Sequence, residues 1–186
     1  MTPPEQRRVA AGVLLVVAAF AVALVLGPAS SGSSGPVAVA LHATAPFNSL
    51  ATARGDGYGL LKDRHGIACI AMDGMPSMAM GVHYVKPTLV TDGVVDVASP
   101  EALVYEPTSL GLRLAALEYV VLQSAWDAHH SRPPVLYGHR FALTPAGNRF
   151  GLPAFYSLHA WIWKPNPSGE FAMWNPTVHC PSGAQP

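Results

Sequence analysis

Residues 9–26, VAAGVLLVVAAFAVALVL, form the longest apolar run in the chain and follow directly on Arg7 and Arg8. About 18 consecutive apolar residues suffice for a helix to cross the hydrocarbon core, whereas the apolar part of a cleaved export signal spans about 7–15. The run therefore predicts an N-terminal hydrophobic helix over residues 1–29, acting as a signal peptide or a membrane anchor. Small residues offer cleavage before Ser30 or after the AVA at 38–40. In both cases the positive flank stays cytoplasmic and everything after it lies outside. The expected location is the cell membrane, single pass with the domain outside, or the secreted fraction. Residues 30–39 contain SSGSSGP and read as a Ser/Gly-rich linker. Residues 40–186 read as one extracytoplasmic domain.

Beyond the linker the period of the pattern changes twice. TAPFNSLATARGDGYGLL starts with Thr44 and Pro46 and spaces Phe47, Leu50, Ala51 and Ala53 at helical intervals, predicting a short amphipathic helix before Gly55 and Gly57. GVHYV alternates and predicts a strand ending at Pro87. EALVYEP and LRLAALEYVVLQ flank the turn-like TSLG and predict a hairpin. The polar, Pro- and Gly-rich stretch 126–153 reads as a long connection. It leads into AFYSLHAWIW, the most strand-like run, closed by KPNPSG, and FAMWNPTVHC adds a short strand. Strands without alternating βα units predict an α+β fold, an antiparallel sheet of four to six strands with one or two short helices.

Composition narrows the function. Eleven basic residues are matched by eleven acidic ones, the net charge is zero, and charged residues make up 12% of the chain. Nucleic-acid binding relies on clustered Lys and Arg, so no nucleic-acid partner is expected. The motifs for a nucleophile elbow, a phosphate-binding loop and a dinucleotide fingerprint are absent, and no catalytic residues are assigned. The two cysteines, Cys69 and Cys180, lie in the exported portion, where an oxidising compartment favours a disulfide between them. Such a closure would contribute on the order of 4–5 kcal/mol by restricting the unfolded chain. The competing reading is two free thiols, one of them a metal ligand.

Two constellations carry candidate chemistry. Met72, Met75, Met78 and Met80 crowd the loop-like CIAMDGMPSMAMGVHYV between Cys69 and His83. Thioethers select Cu(I), and they equally fill irregular core edges or coat a contact surface. The second constellation is His83, Glu118 and His159, each set mid-strand among apolar neighbours, where an unpaired imidazole or carboxylate is costly. On neighbouring strands and one face, they would hold a transition metal, with His139 from the long loop as a fourth group. A mutual His–Glu network without metal satisfies the same groups. His129 and His130 beside Asp127 read as an exposed pair. Strand alternation puts His159, Trp161 and Trp163 on one face, lining a ligand groove or an interface.

The strings CIAMDGMPSMAMGVHYV, PEALVYEP, LAALEYVV, PPVLYGHRF and LHAWIWKPNPSGEFAMWNP, with the closing cysteine, resemble a family of exported bacterial proteins to which no activity is assigned. The resemblance spans roughly residues 45–180 and implies a single exported domain, with no reaction attached. The leading functional expectation is binding rather than catalysis: an extracytoplasmic module holding a transition metal, copper first. The alternative is a structural or interaction domain of the cell envelope, forming a homo-oligomer or contacting an envelope partner, with a buried non-catalytic His/Glu network.

Overall fold

A computed structural model describes Met1 and residues 35–181. The expected signal or anchor, and the linker as far as residue 34, lie outside the described residues. Among those described, no helix is long and apolar enough to cross a membrane.

The chain is already helical at α1, Pro36–Thr44, so the folded unit begins before the expected boundary at residue 40. Pro36 at the first helical position suits an N-terminus, because its missing N–H has no partner there anyway. The single helix expected from Thr44 onward is instead split. A 3₁₀ turn, Ala45–Asn48, precedes α2, Leu50–Gly55, and Ser49 caps α2 by accepting from the Thr52 N–H. Ser49 takes an extended backbone to do so, which breaks the continuous pattern.

Seven strands form one antiparallel sheet, more than the four to six expected. They are β1 (Gly59–Leu60), β2 (Cys69–Met72), β3 (Met75–Val85), β4 (Ala102–Thr108), β5 (Gly111–Leu122), β8 (Ala142–Thr144) and β9 (Phe155–Ala160). Their order is β1-β3-β4-β5-β9-β8, with β2 also pairing with β3. A separate two-stranded ribbon, β6 (Val135–Leu136) with β7 (His139–Arg140), occupies the long connection, and that connection also supplies β8. Two single-turn helices, α3 (Pro87–Val90) and α4 (Gln123–Asp127), complete the order. The β4–β5 hairpin forms as expected, pairing Ala102 with Glu118 through to Thr108 with Gly111. The methionine-rich stretch is not a loop but the β2–β3 hairpin, turning at Asp73–Gly74.

The two sheet faces have different fates. Tyr84, Leu103, Tyr105, Leu117, Tyr119 and Leu158 pack on one face with Ala40 and Ala53 of the helices, forming the main core. Each of the fully buried leucines contributes roughly 1.5–3 kcal/mol. The phenol of Tyr105 donates to the Phe47 carbonyl at 2.6 Å and that of Tyr58 to the Pro100 carbonyl at 2.7 Å. The opposite face carries His83, Val104, Ala116, Glu118 and His159; loops cover most of it, and the single-turn α3 packs Val90 against Val120 and Phe155.

The run AFYSLHAWIW does not stay extended: β9 ends at Ala160. Trp161 remains on the second face, where its indole donates to the Ala172 carbonyl at 2.6 Å, while Trp163 crosses to the main core and donates to Thr44 Oγ1 at 3.0 Å. The expected shared face of Trp161 and Trp163 is therefore not formed. FAMWNPTVHC makes no strand. It is held by the Ala79–Asn175 bridge and by the buried Asn175 side chain, which donates to the Pro165 carbonyl at 3.2 Å and accepts from the Thr177 N–H at 2.9 Å. Cys69 and Cys180 form a disulfide, which ties the end of this segment to the start of β2.

Candidate metal centre

Three of the polar residues flagged in the strands come together. His83 stands on β3, Glu118 on β5 and His159 on β9. Glu118 and His159 are direct cross-strand partners, so register alone brings them into reach. His83 is separated from Glu118 by β4, and the small residues Ala102 and Val104 lie between them on that face. Reaching across small side chains is what allows two non-adjacent strands to contribute to one cluster.

A kink in β3 aims His83. Strict alternation would put Met80 and His83 on opposite faces, yet both line the same cavity, while Val82 and Tyr84 face the core. The change of parity falls at Gly81, whose φ of +111° is a backbone conformation L side chains rarely adopt. A Cβ there would also lie 2.6 Å from the Tyr105 carbonyl oxygen.

The contacts within the cluster are close but loose. His83 Nε2 lies 3.4 Å from Glu118 Oε2 and 3.5 Å from His159 Nε2, and His159 Nδ1 lies 3.6 Å from Glu118 Oε1. All three residues offer donor atoms within 4.8 Å of one another. Both histidines are 2% exposed. Burial pushes the His83 imidazole down to about 4; the neighbouring Glu118 carboxylate opposes the shift and His159 adds to it. Burial alone takes His159 down to about 3. Burial pushes Glu118 up, opposed by His83 and by the Ser157 hydroxyl. At neutral pH both rings are uncharged and their lone pairs are available to a Lewis acid. Nδ1 of His83 is buried without a hydrogen-bond partner.

His83 and Glu118 of the cluster open on a cavity of about 760 Å³, within the ordinary range for small-molecule sites, while His159 lies outside its lining. His83, Glu118 and Ser157 lie on its floor and the walls are mainly aliphatic. Helix α3 contributes Pro87 and Val90 to its wall, and two further segments complete the cover. One carries Met173 and Trp174 and is pinned by the Ala79–Asn175 bridge. The other, residues 144–153, is organised by Asn148, whose Nδ2 donates to the Pro145 and Leu152 carbonyls at 2.9 Å each. Arg149 clamps that segment by donating to Asp63 at 2.9 Å and to the Ala71 carbonyl at 3.2 Å. Burial would raise Asp63, but Arg149 and the His65 and Ile67 N–H groups together hold it below the usual carboxylate range.

The remaining candidates stand elsewhere. His139 sits exposed on β7, its ring 4.3 Å from that of Phe171, and is not part of the cluster. Met72 and Met80 line the cavity, whereas Met75 is exposed near the hairpin turn and Met78 is half-buried away from the cavity lining. His130 stacks on Trp126 with centroids 3.7 Å apart, and both it and His129 are exposed. Among the tryptophans, Trp174 reaches the cavity and Trp161 lies nearly parallel to the His159 ring at 6.2 Å. Ser157 was missed in the sequence, although alternation back from His159 along β9 points to it. Trp174 is one of the four tryptophans that the sequence offers as groove-lining, whereas Arg149 and Met173 carried no local signal. No family model, curated protein or solved structure matches the chain.

Proposed function

We propose that the protein binds one divalent transition metal through His83, Glu118 and His159. The supporting observation is the spacing of the donors. His83 Nε2 lies 3.4 Å from Glu118 Oε2 and 3.5 Å from His159 Nε2, too far for good hydrogen bonds, and one donor atom from each of the three residues falls within 4.8 Å of the others. A metal about 2.0–2.1 Å from two donors at the tetrahedral angle separates them by ~3.4 Å. Neutral imidazoles and a carboxylate are ligands of Zn, Fe and Cu sites, and three protein ligands leave a position open toward the cavity. By the usual order of affinities Cu(II) binds such a set more tightly than Zn(II). The four methionines do not share the centre, so a thioether Cu(I) site made by all of them is not the favoured form. The disulfide is in keeping with an extracytoplasmic location, and the apolar run after Arg7 and Arg8 with a membrane or secreted setting.

The test is equilibrium dialysis of the purified protein against Zn(II) and Cu(II) at pH 7.5, beside the Glu118→Gln and His159→Gln variants. One equivalent of metal, weakened at least about tenfold in both variants, is expected. Folded protein that retains no metal would leave the three residues as a structural network, the role of an envelope interaction domain.

A further inference from the structure

The cavity above the cluster carries information about what reaches the metal. Resting on the metal reading, we propose that the cavity takes an aliphatic monocarboxylate whose head group occupies the open coordination position. Charge decides the head group. A divalent ion held by two neutral imidazoles and one carboxylate leaves one net positive charge, buried under a lining that is mainly apolar. An isolated buried charge is costly, and a single anion removes that cost. The other cation on the wall, Arg149, is already answered by Asp63 at 2.9 Å and Asp73 at 3.5 Å, so it does not call for a second anionic group.

The walls decide the tail. Leu60, Ile70, Val85, Val120, Leu122 and Leu152 surround the space, with only a few polar side chains besides those of the floor. Such a wall offers dispersion contact and desolvation to hydrocarbon and no row of donors for a sugar or a phosphate. The volume of about 760 Å³ leaves room for a chain of medium length. The ligand is thus held at one end by a metal–carboxylate bond and along its length by apolar contact, with no covalent chemistry implied.

Calorimetric titration of the zinc-loaded protein with decanoate, with decanamide as the uncharged control, tests this. The same titrations on metal-free protein show whether the metal is the anchor. Cobalt-loaded protein adds a spectroscopic readout, since a carboxylate entering the coordination sphere moves the visible bands. The expected result is decanoate binding at least about tenfold tighter to the zinc form than to the metal-free form, and at least about tenfold tighter than decanamide, with a shift of the cobalt bands. Zinc uptake with equal affinities for decanoate and decanamide, or with no decanoate binding, overturns the ligand assignment and leaves the metal site standing. Absence of zinc uptake overturns both.

Discussion

Replacing Gly81 by alanine perturbs both the fold and the cluster, and its cost follows from two local facts. At φ +111° a Cβ is strained whatever space surrounds it, which costs about 1–3 kcal/mol. The added atom would also stand 2.6 Å from the Tyr105 carbonyl oxygen and 3.4 Å from Val104 Cγ1. Tyr105 belongs to the central strand β4, and neither its backbone nor its fully buried ring can give way cheaply; overpacking of this sort adds about 1–3 kcal/mol. The expected total is about 2–6 kcal/mol, read from urea unfolding with the slope checked for two-state behaviour. Gly59→Ala is the control. Gly59 has an unstrained backbone and its nearest atom is 3.9 Å away, so the expected change is under about 1 kcal/mol. If Gly81→Ala fell within about 1 kcal/mol of the parent protein, the kink would not be enforced by glycine, and the reason given for the direction of His83 would fail.

Three further outcomes follow from buried groups. Glu101 is 2% exposed, accepts from the Val120 N–H at 2.8 Å, and is pushed up to about 8 by burial. The stability this gives is fully present below the unfolded value near 4.5 and is lost as pH rises through about 8, by at most about 5 kcal/mol. Glu101→Gln should flatten that slope between pH 5 and 8.5 in urea unfolding, and parallel slopes would contradict the assignment. Asp63→Asn removes the carboxylate that clamps Arg149 and should cost about 2–3 kcal/mol, below the range for fully buried pairs because Arg149 is a quarter exposed; thermal unfolding measures it. Removing the Cys69–Cys180 disulfide, with a separation of 111 residues, should lower stability by up to about 4–5 kcal/mol, measured on the Cys69→Ala, Cys180→Ala double variant.

Much of the sheet was readable in the chain because alternation and turn chemistry agree there. In β4 and β5 the apolar runs Ala102–Tyr105 and Leu114–Leu117 flank a polar approach to a two-residue turn, and the hairpin forms where expected. The methionine hairpin was hidden because it turns on Asp73–Gly74 inside an apolar stretch and because the bulge at Gly81 breaks the two-residue period. Strands of two or three residues, such as β1, β6, β7 and β8, carry no period at all and exist only through their partners. The His83, Glu118 and His159 positions were legible as polar residues stranded among apolar ones. Their convergence was not, since it depends on β4 lying between β3 and β5 with small residues facing the cluster. The cover over the cavity depends on contacts such as Ala79–Asn175 and Asp63–Arg149, which link residues 96 and 86 positions apart in the chain.

A metal ion held between two imidazoles and one carboxylate is open to direct observation. Crystals of the protein grown with Zn(II), measured on both sides of the zinc absorption edge, locate the ion directly. One strong anomalous peak is expected about 2.0–2.2 Å from a ring nitrogen of His83, a ring nitrogen of His159 and an oxygen of Glu118. A zinc-saturated crystal with no peak among these three residues, or with its peak at another set of side chains, would contradict it.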